Sequence, residues 1–219
     1  MSKHPRITLI HATTIAMEPI RQTFASSWPE ADVVNLLEDS LSPDRAKQSA
    51  ITEALTDRIE ALTKYARQIG SDAVLFTCSA FGRAIEHAAT TVDIPVLKPN
   101  EAMFEAAIRT GGRTAMLYTF APARQGMEVE FHEEAAKINP SATIASFLVE
   151  GAIDAIRAGD AETHNRLIAE AAAEIAGFDA IILAHFSTAR ARGSVEAKTN
   201  IPVLTSPDAA VVKLRTLIG

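Results

Sequence analysis

Two side chains carry the clearest chemistry in this sequence: Cys78, its single cysteine, and His185, which lies 107 residues further on. Each follows an apolar run, Ala73–Thr77 in the first case and Ala180–Ala184 in the second. A free thiol titrates near pH ~8.5 and an imidazole near ~6.5, so both can hold and release a proton close to neutrality. Set on opposite sides of one carbon atom, one group could remove a proton while the other supplies one to the far face. Inversion of a stereocentre next to a carboxylate needs such a pair. The intervening carbanion spreads charge onto the carboxylate oxygens, which then need preorganised donors. Candidate donors sit at the ends of these and two further apolar runs: His11, Thr13 and Thr14 at the end of Ile7–His11, Ser79 next to Cys78, Tyr118 and Thr119 at the end of Arg113–Tyr118, and Ser187 after His185. Ser and Thr are also ordinary helix-capping residues, and a lone Cys is often simply a small buried hydrophobe.

The elements that must position these residues come in two matching sets. A shift of 107 lays DAVLFTCSAFGRA, from Asp72, on DAIILAHFSTARA, from Asp179. The same shift lays Ile94–Leu97 on Ile201–Leu204, Gly70 on Gly177, Arg6 on Arg113 and Phe24 on Phe131. Strand runs are expected at Ile7–His11, Asp32–Leu37, Ala73–Thr77 and Pro95–Leu97. In the second half they are expected at Arg113–Tyr118, Thr143–Leu148, Ala180–Ala184 and Pro202–Leu204. Helices are expected between them, with one extra short helix near Gly151–Arg157. Ser42-Pro43-Asp44 reads as a helix start, and Ile51, Leu55, Ile59, Leu62, Ala66 and Ile69 continue its apolar face to a stop at Gly70. Strands alternating with helices imply parallel βαβ units with helices on both faces. The expected fold is therefore α/β: two similar four-stranded parallel-sheet lobes, Rossmann-like three-layer sandwiches, joined near Gly111-Gly112. A pseudo-twofold between the lobes would bring Cys78 and His185 to one cleft, since ligands of open parallel sheets bind at the carboxyl ends of the strands.

Composition narrows the function. The chain has 219 residues, 22% charged and 47% hydrophobic, with net charge −6. An acidic chain of this kind is a poor candidate for nucleic-acid binding, which needs a basic face. One cysteine excludes an intrachain disulfide and a Cys-cluster metal site, and it fits a reducing, cytoplasmic setting. The N-terminal run is too short to span a membrane and reads as a strand rather than a signal peptide. No G-x-G-x-x-G follows a strand, and no P-loop pattern exists. His132-Glu133 starts like a zinc-protease helix, but Ala136 stands where the second ligand would be. His87 and His164 fall on predicted helices and are expected on solvated faces, as is the Glu128–Glu134 charge run. Glu101 and Asp208 are expected to stabilise helix N-termini.

FTCSAFG after a buried strand, the doubled α/β half and the matching strand-end position at His185 together resemble the aspartate/glutamate racemase superfamily. Its members include hydantoin racemases, maleate isomerases and arylmalonate decarboxylases. The resemblance covers essentially the whole chain. It implies a cofactor-independent isomerase acting on a small carboxylate, with Cys78 as the first catalytic acid/base. His185 stands where the usual second Cys is expected, ILAHFSTA replacing a pattern like LGCTH. It implies carboxylate-binding roles for Ser79 and for Thr119 in LYTFAP. It also implies lobes of residues 1–98 plus 206–219 and of residues 99–205, each half's last helix crossing to the other lobe, and it suggests a homodimer. Racemase or epimerase is the leading reading. A single-thiol decarboxylase, a cis-trans isomerase and a non-catalytic small-molecule sensor stay open as alternatives.

Overall fold

The computed structural model describes residues 4–218; residues 1–3 and 219 lie outside them. The chain divides into two compact units, one running to Pro99 and resuming at Ala210, the other spanning Asn100–Ala209. The first unit holds β1 (Arg6–His11), α1 (Met17–Ser27), β2 (Asp32–Leu37), α2 (Leu41–Ala46), α3 (Glu53–Gln68), β3 (Ala73–Phe76), α4 (Gly82–Ala89) and β4 (Val96–Leu97). The second holds α5 (Glu101–Thr110), β5 (Arg113–Tyr118), α6 (Arg124–Ile138), β6 (Thr143–Leu148), α7 (Ala152–Arg157), α8 (Ala161–Ala173), β7 (Ala180–Leu183), α9 (Arg192–Glu196) and β8 (Val203–Thr205). Helix α10 (Ser206–Ile218) begins in the second unit and continues in the first. The two sheets are parallel and have the same order, β2-β1-β3-β4 and β6-β5-β7-β8. The sequence therefore predicts the fold class correctly.

The repeat is physical as well as textual. In the first unit the backbone N–H of Arg6 donates to Asp72 Oδ2 at 2.8 Å. In the second, the N–H of Arg113 donates to Asp179 Oδ2 at 2.7 Å. Both pairs sit at the entry of the two central strands, so each Asp sets the register of its half. The register is the same in both, Ile7 opposite Ala73 and Thr114 opposite Ala180. Gly70 and Gly177, just ahead of these aspartates, both take positive φ, +83° and +76°, which a side chain would resist.

The central strands are buried on both faces, as parallel strands covered by helices must be. In the second unit, Met116, Tyr118 and Ile182 pack towards Phe104, Met127 and Phe131 of α5 and α6. Ala115, Leu117, Ile181 and Leu183 point the other way, onto Ile168, Ala172 and Val195 of α8 and α9. In the first unit, Ile10, Val74 and Phe76 pack against Leu55, Ile59 and Ile85 of α3 and α4. The sequence halves join near Gly111-Gly112, but the units separate at Pro99 because of packing. Phe104 of α5 meets Phe131 of α6 edge-on at 5.7 Å. At the far end of α10, Arg215 Nη1 donates to Ser27 O at 3.1 Å.

Three sequence expectations are corrected. The helix expected from Ser42 onwards is two helices, α2 and α3, separated by Lys47–Thr52. Thr52, not Ser42, caps the long one: its side chain accepts from Leu55 N at 3.3 Å. The Glu128–Glu134 run is not uniformly solvated, because Glu130 and Glu134 are buried. They share the inward face of α6 with Met127, Phe131 and Ala135. His164 has no exposed surface, since α8 turns it inward with Ile168 and Ala172. His87 does lie on an exposed surface, beside Glu60 at 3.0 Å.

The close approach of β5 and β7 at their start yields a test. A Cβ on Gly111 would lie 2.4 Å from Cβ of Asp179, whereas one on Gly112 would meet nothing within 4 Å. Gly111→Ala should cost roughly 1–3 kcal/mol through overpacking. Gly112→Ala should stay within about 0.5 kcal/mol of the parent. Urea unfolding of both variants checks this, and equal midpoints would contradict the packing described.

Candidate active site

The chemistry-bearing residues cluster at the carboxyl ends of the two innermost strands of each sheet. In the first unit these are β1 and β3, which pair side by side up to Ile10 opposite Phe76. Thr77 continues the ladder, its N–H donating to Ile10 O at 3.0 Å. Cys78 then leaves the sheet with ordinary extended backbone, φ −121° and ψ 121°, and begins the 3₁₀ turn Ser79–Phe81 that leads into α4. The thiol is half-buried. Removal from water pushes its pKa up, opposed by the N–H of Ala80 and the guanidinium of Arg45. Burial wins, so the resting group is a protonated S–H.

Arg45 has no counterpart among the residues singled out from sequence. It reaches this turn from α2, donating from Nε to Ala80 O at 3.2 Å and from Nη1 to Gln48 O at 2.7 Å. Helix α2 is itself fastened to α3. Arg58 donates to Asp44 Oδ2 at 2.9 Å and to Ser40 Oγ at 2.6 Å, and also pairs with Glu38. The helix-start signal Ser42-Pro43-Asp44 locates Arg45 on a first turn, but nothing local says which loop that turn will face.

His11, a candidate for binding substrate, ends β1. It has no exposed surface, and both ring nitrogens are engaged inside the unit. Nδ1 lies 2.9 Å from Thr77 Oγ1 and Nε2 lies 2.9 Å from Asn35 Oδ1. Since the Asn35 oxygen only accepts, Nε2 carries the proton and Thr77 donates to Nδ1. Burial lowers the His11 pKa, partly opposed by the Asn35 bond. His11 thus ties β1, β2 and the residue before Cys78 together. Thr13 is half-buried at the cap position of the short turn Thr14–Ala16, without a capping bond from its side chain, and Thr14 is exposed. Ser79 is half-buried beside Cys78.

In the second unit the strand ends are β5 and β7. Tyr118 and Thr119 end β5, and both are buried. The Tyr118 hydroxyl interacts with Arg124. Thr119 Oγ1 is buried and has no hydrogen-bond partner among the described residues. An orphaned buried hydroxyl costs about 1–3 kcal/mol, so its presence calls for a reason. His185 follows β7 and begins the 3₁₀ segment Phe186–Ala191, in which Ser187 is buried. Its backbone is at φ 81° and ψ 140°, the one positive φ outside glycine among the described residues. Residues with a β-carbon pay roughly 1–3 kcal/mol there, and such strain gathers at functional sites. Burial lowers the His185 pKa from 6.5 to about 4, leaving a neutral imidazole.

The buried histidines set a pH dependence. His11, His164 and His185 all have folded pKa values below 6.5, in each case chiefly through desolvation. The native state therefore binds fewer protons than the unfolded state in this range, and stability rises with pH. The contribution is complete above pH 6.5 and is lost as pH falls; for His185 the loss runs from 6.5 to about 4. His185 alone could account for roughly 3 kcal/mol. Denaturant unfolding at pH 7 and pH 4.5 should show a clearly smaller acid loss for His185→Gln than for the parent. Identical losses would count against a buried neutral imidazole.

The surrounding comparisons agree with this frame. Among solved structures, the chain is similar to a glutamate racemase isoform from Bacillus anthracis, with TM-score 0.76 and 12% identity over 98% of this chain and 81% of that one. An allantoin racemase from Klebsiella pneumoniae gives TM-score 0.76 and 18% identity over 98% and 87%. An aspartate racemase from Picrophilus torridus gives 0.70 and 14% over 97% and 94%. No curated protein matches the sequence. The family model for Asp/Glu/hydantoin racemases matches residues 7–212, which spans both strand-end clusters. The chain belongs to the Asp/Glu/hydantoin racemase family.

Proposed function

We propose that this protein is a cofactor-independent racemase or epimerase that moves a proton at the carbon alpha to a carboxylate of a small acid or amino-acid derivative. Family membership supports racemase-type isomerase activity. The observation that carries the finer reading is the opposite protonation of Cys78 and His185, an S–H and a neutral imidazole at equivalent positions of a repeated half.

In this reading one group begins as an acid and the other as a base, which is the starting state a two-sided transfer requires. The imidazole nitrogen takes the alpha proton. The C–H electron pair moves into the carboxylate as an enediolate. Cys78 S–H gives its proton to the other face, leaving thiolate and imidazolium. Transfer of one proton from the imidazolium to the thiolate, directly or through solvent, restores the enzyme. The base is weak in the empty protein, but a substrate carboxylate beside it favours the imidazolium and raises its pKa. Thr119 answers the accumulating charge with a hydroxyl that has no other bond to make. Thr13, Thr14, Ser79, Tyr118 and Ser187 are the remaining candidates for binding substrate. His11 acts one layer back, by fixing Thr77.

Two experiments test this reading. D- and L-aspartate, D- and L-glutamate and a 5-substituted hydantoin are incubated in deuterated water, and alpha-carbon deuterium is read by NMR. The expected result is incorporation into at least one probe, reduced by two to four orders of magnitude, roughly, in Cys78→Ser. Undiminished incorporation in that variant would refute the assignment, and carbon dioxide release without inversion would point to a decarboxylase. Second, Thr119→Val should raise KM for the active probe about tenfold, the loss of one hydrogen bond to a charged group. It should leave thermal stability equal or higher, because the orphan hydroxyl is gone. A lowered melting temperature with unchanged KM would contradict a binding role.

A further inference from the structure

The strained backbone at His185 has a dedicated support. His185 φ and ψ are set by the relative tilt of two peptide planes, one carrying the carbonyl of Ala184 and the other the carbonyl of His185. Both carbonyls converge on one side chain. Thr188 Oγ1 lies 2.8 Å from Ala184 O and 2.7 Å from His185 O. A hydroxyl has one proton, so it is shared between the two acceptors as a three-centre bond. The N–H of Thr188 adds a second bond to His185 O at 3.2 Å. Thr188 is buried, and the bonds are shielded from water.

The first half of the repeat serves as an internal control. Phe81 stands where Thr188 stands, and Cys78, equivalent to His185, has ordinary extended backbone. The hydroxyl and the strained backbone therefore occur together in one half and are both missing from the other. Without the hydroxyl, the Ala184 carbonyl would lose this donor and the His185 carbonyl would keep only the longer bond from the Thr188 N–H. The backbone at residue 185 would then relax towards negative φ, carrying the imidazole away from its present direction.

We propose that Thr188 is a positioning residue: its hydroxyl clamps the two peptide planes around His185 and thereby aims the imidazole that transfers a proton. The aiming role stands on geometry alone; its consequence for turnover rests on the function proposed above.

The test uses the full chain with 13C-labelled histidine. Thr188→Val should displace the His185 ring resonances and move the ring pKa upward from about 4 as the ring gains water. Thr188→Ser, which keeps the hydroxyl, should leave both close to the parent. Unchanged ring signals in Thr188→Val would overturn the proposal. A stability cycle keeps the test informative if that variant folds poorly. Thr188→Val should lower the melting temperature several-fold more in the parent than in a His185→Gly background, where no strain needs holding. Equal losses in the two backgrounds would also overturn it. On the alpha-deuterium assay, Thr188→Val should lower kcat about tenfold or more with KM nearly unchanged, the signature of lost alignment rather than lost binding. Displaced ring signals with undiminished kcat would leave the clamp intact and count against His185 as the proton carrier.

Discussion

Desolvation at the carboxyl ends of β3 and β7 is the constraint on which the proposed chemistry depends. Parallel strands covered on both faces deliver their last residues into protein rather than water. Cys78 arrives as a thiol whose ionisation is resisted by burial, and His185 as an imidazole whose protonation is resisted by the same effect. One physical cause acts in opposite chemical directions, because it disfavours the anion in one case and the cation in the other. In the proposed function these opposed states are the acid and the base.

The rest of each half serves to hold those two strand ends. Asp72 and Asp179 fix the start of the central strands through matching backbone bonds. His11 and Asn35 fix the end of β1 against Thr77. Arg45 closes the turn after Cys78 from an adjoining helix, while Thr188 closes the turn after His185 from within the same segment. The two halves thus share a frame and differ in how they finish it. That difference follows from the residues: a thiol at an unstrained extended position and an imidazole at a position where glycine would sit more easily.

Much of the frame is legible in the sequence because its signals are local and repeated. Ala73–Phe76 and Ala180–Leu183 are short apolar runs, each preceded by a glycine and an aspartate at equal spacing, and each becomes a central strand. The strand-end positions of Cys78 and His185 follow from those strands. The buried polar residues look solvent-facing by type, although their spacing points inward. His164 shares a four-residue step with Ile168 and Ala172, and Glu130 and Glu134 keep step with Met127 and Phe131. Arg45 and Thr188 lay beyond sequence reasoning for different reasons. The first depends on how α2 packs on α3, and the second on a backbone angle at residue 185 that no residue type reveals. The break between α2 and α3 is hidden in the sequence because Ile51 and Leu55 continue an apolar spacing across it, although Thr52 carries a capping side chain.

The most direct measurement is the protonation state of the two groups in the free protein. Thiolate absorbance can be followed with pH for Cys78, and 13C chemical shift for His185, with Cys78→Ser and His185→Gln assigning the signals. The thiol is expected to ionise above its usual range and the imidazole to protonate near 4. A thiolate already formed at pH 7, or an imidazolium persisting there, would contradict the opposed proton states from which the mechanism is built.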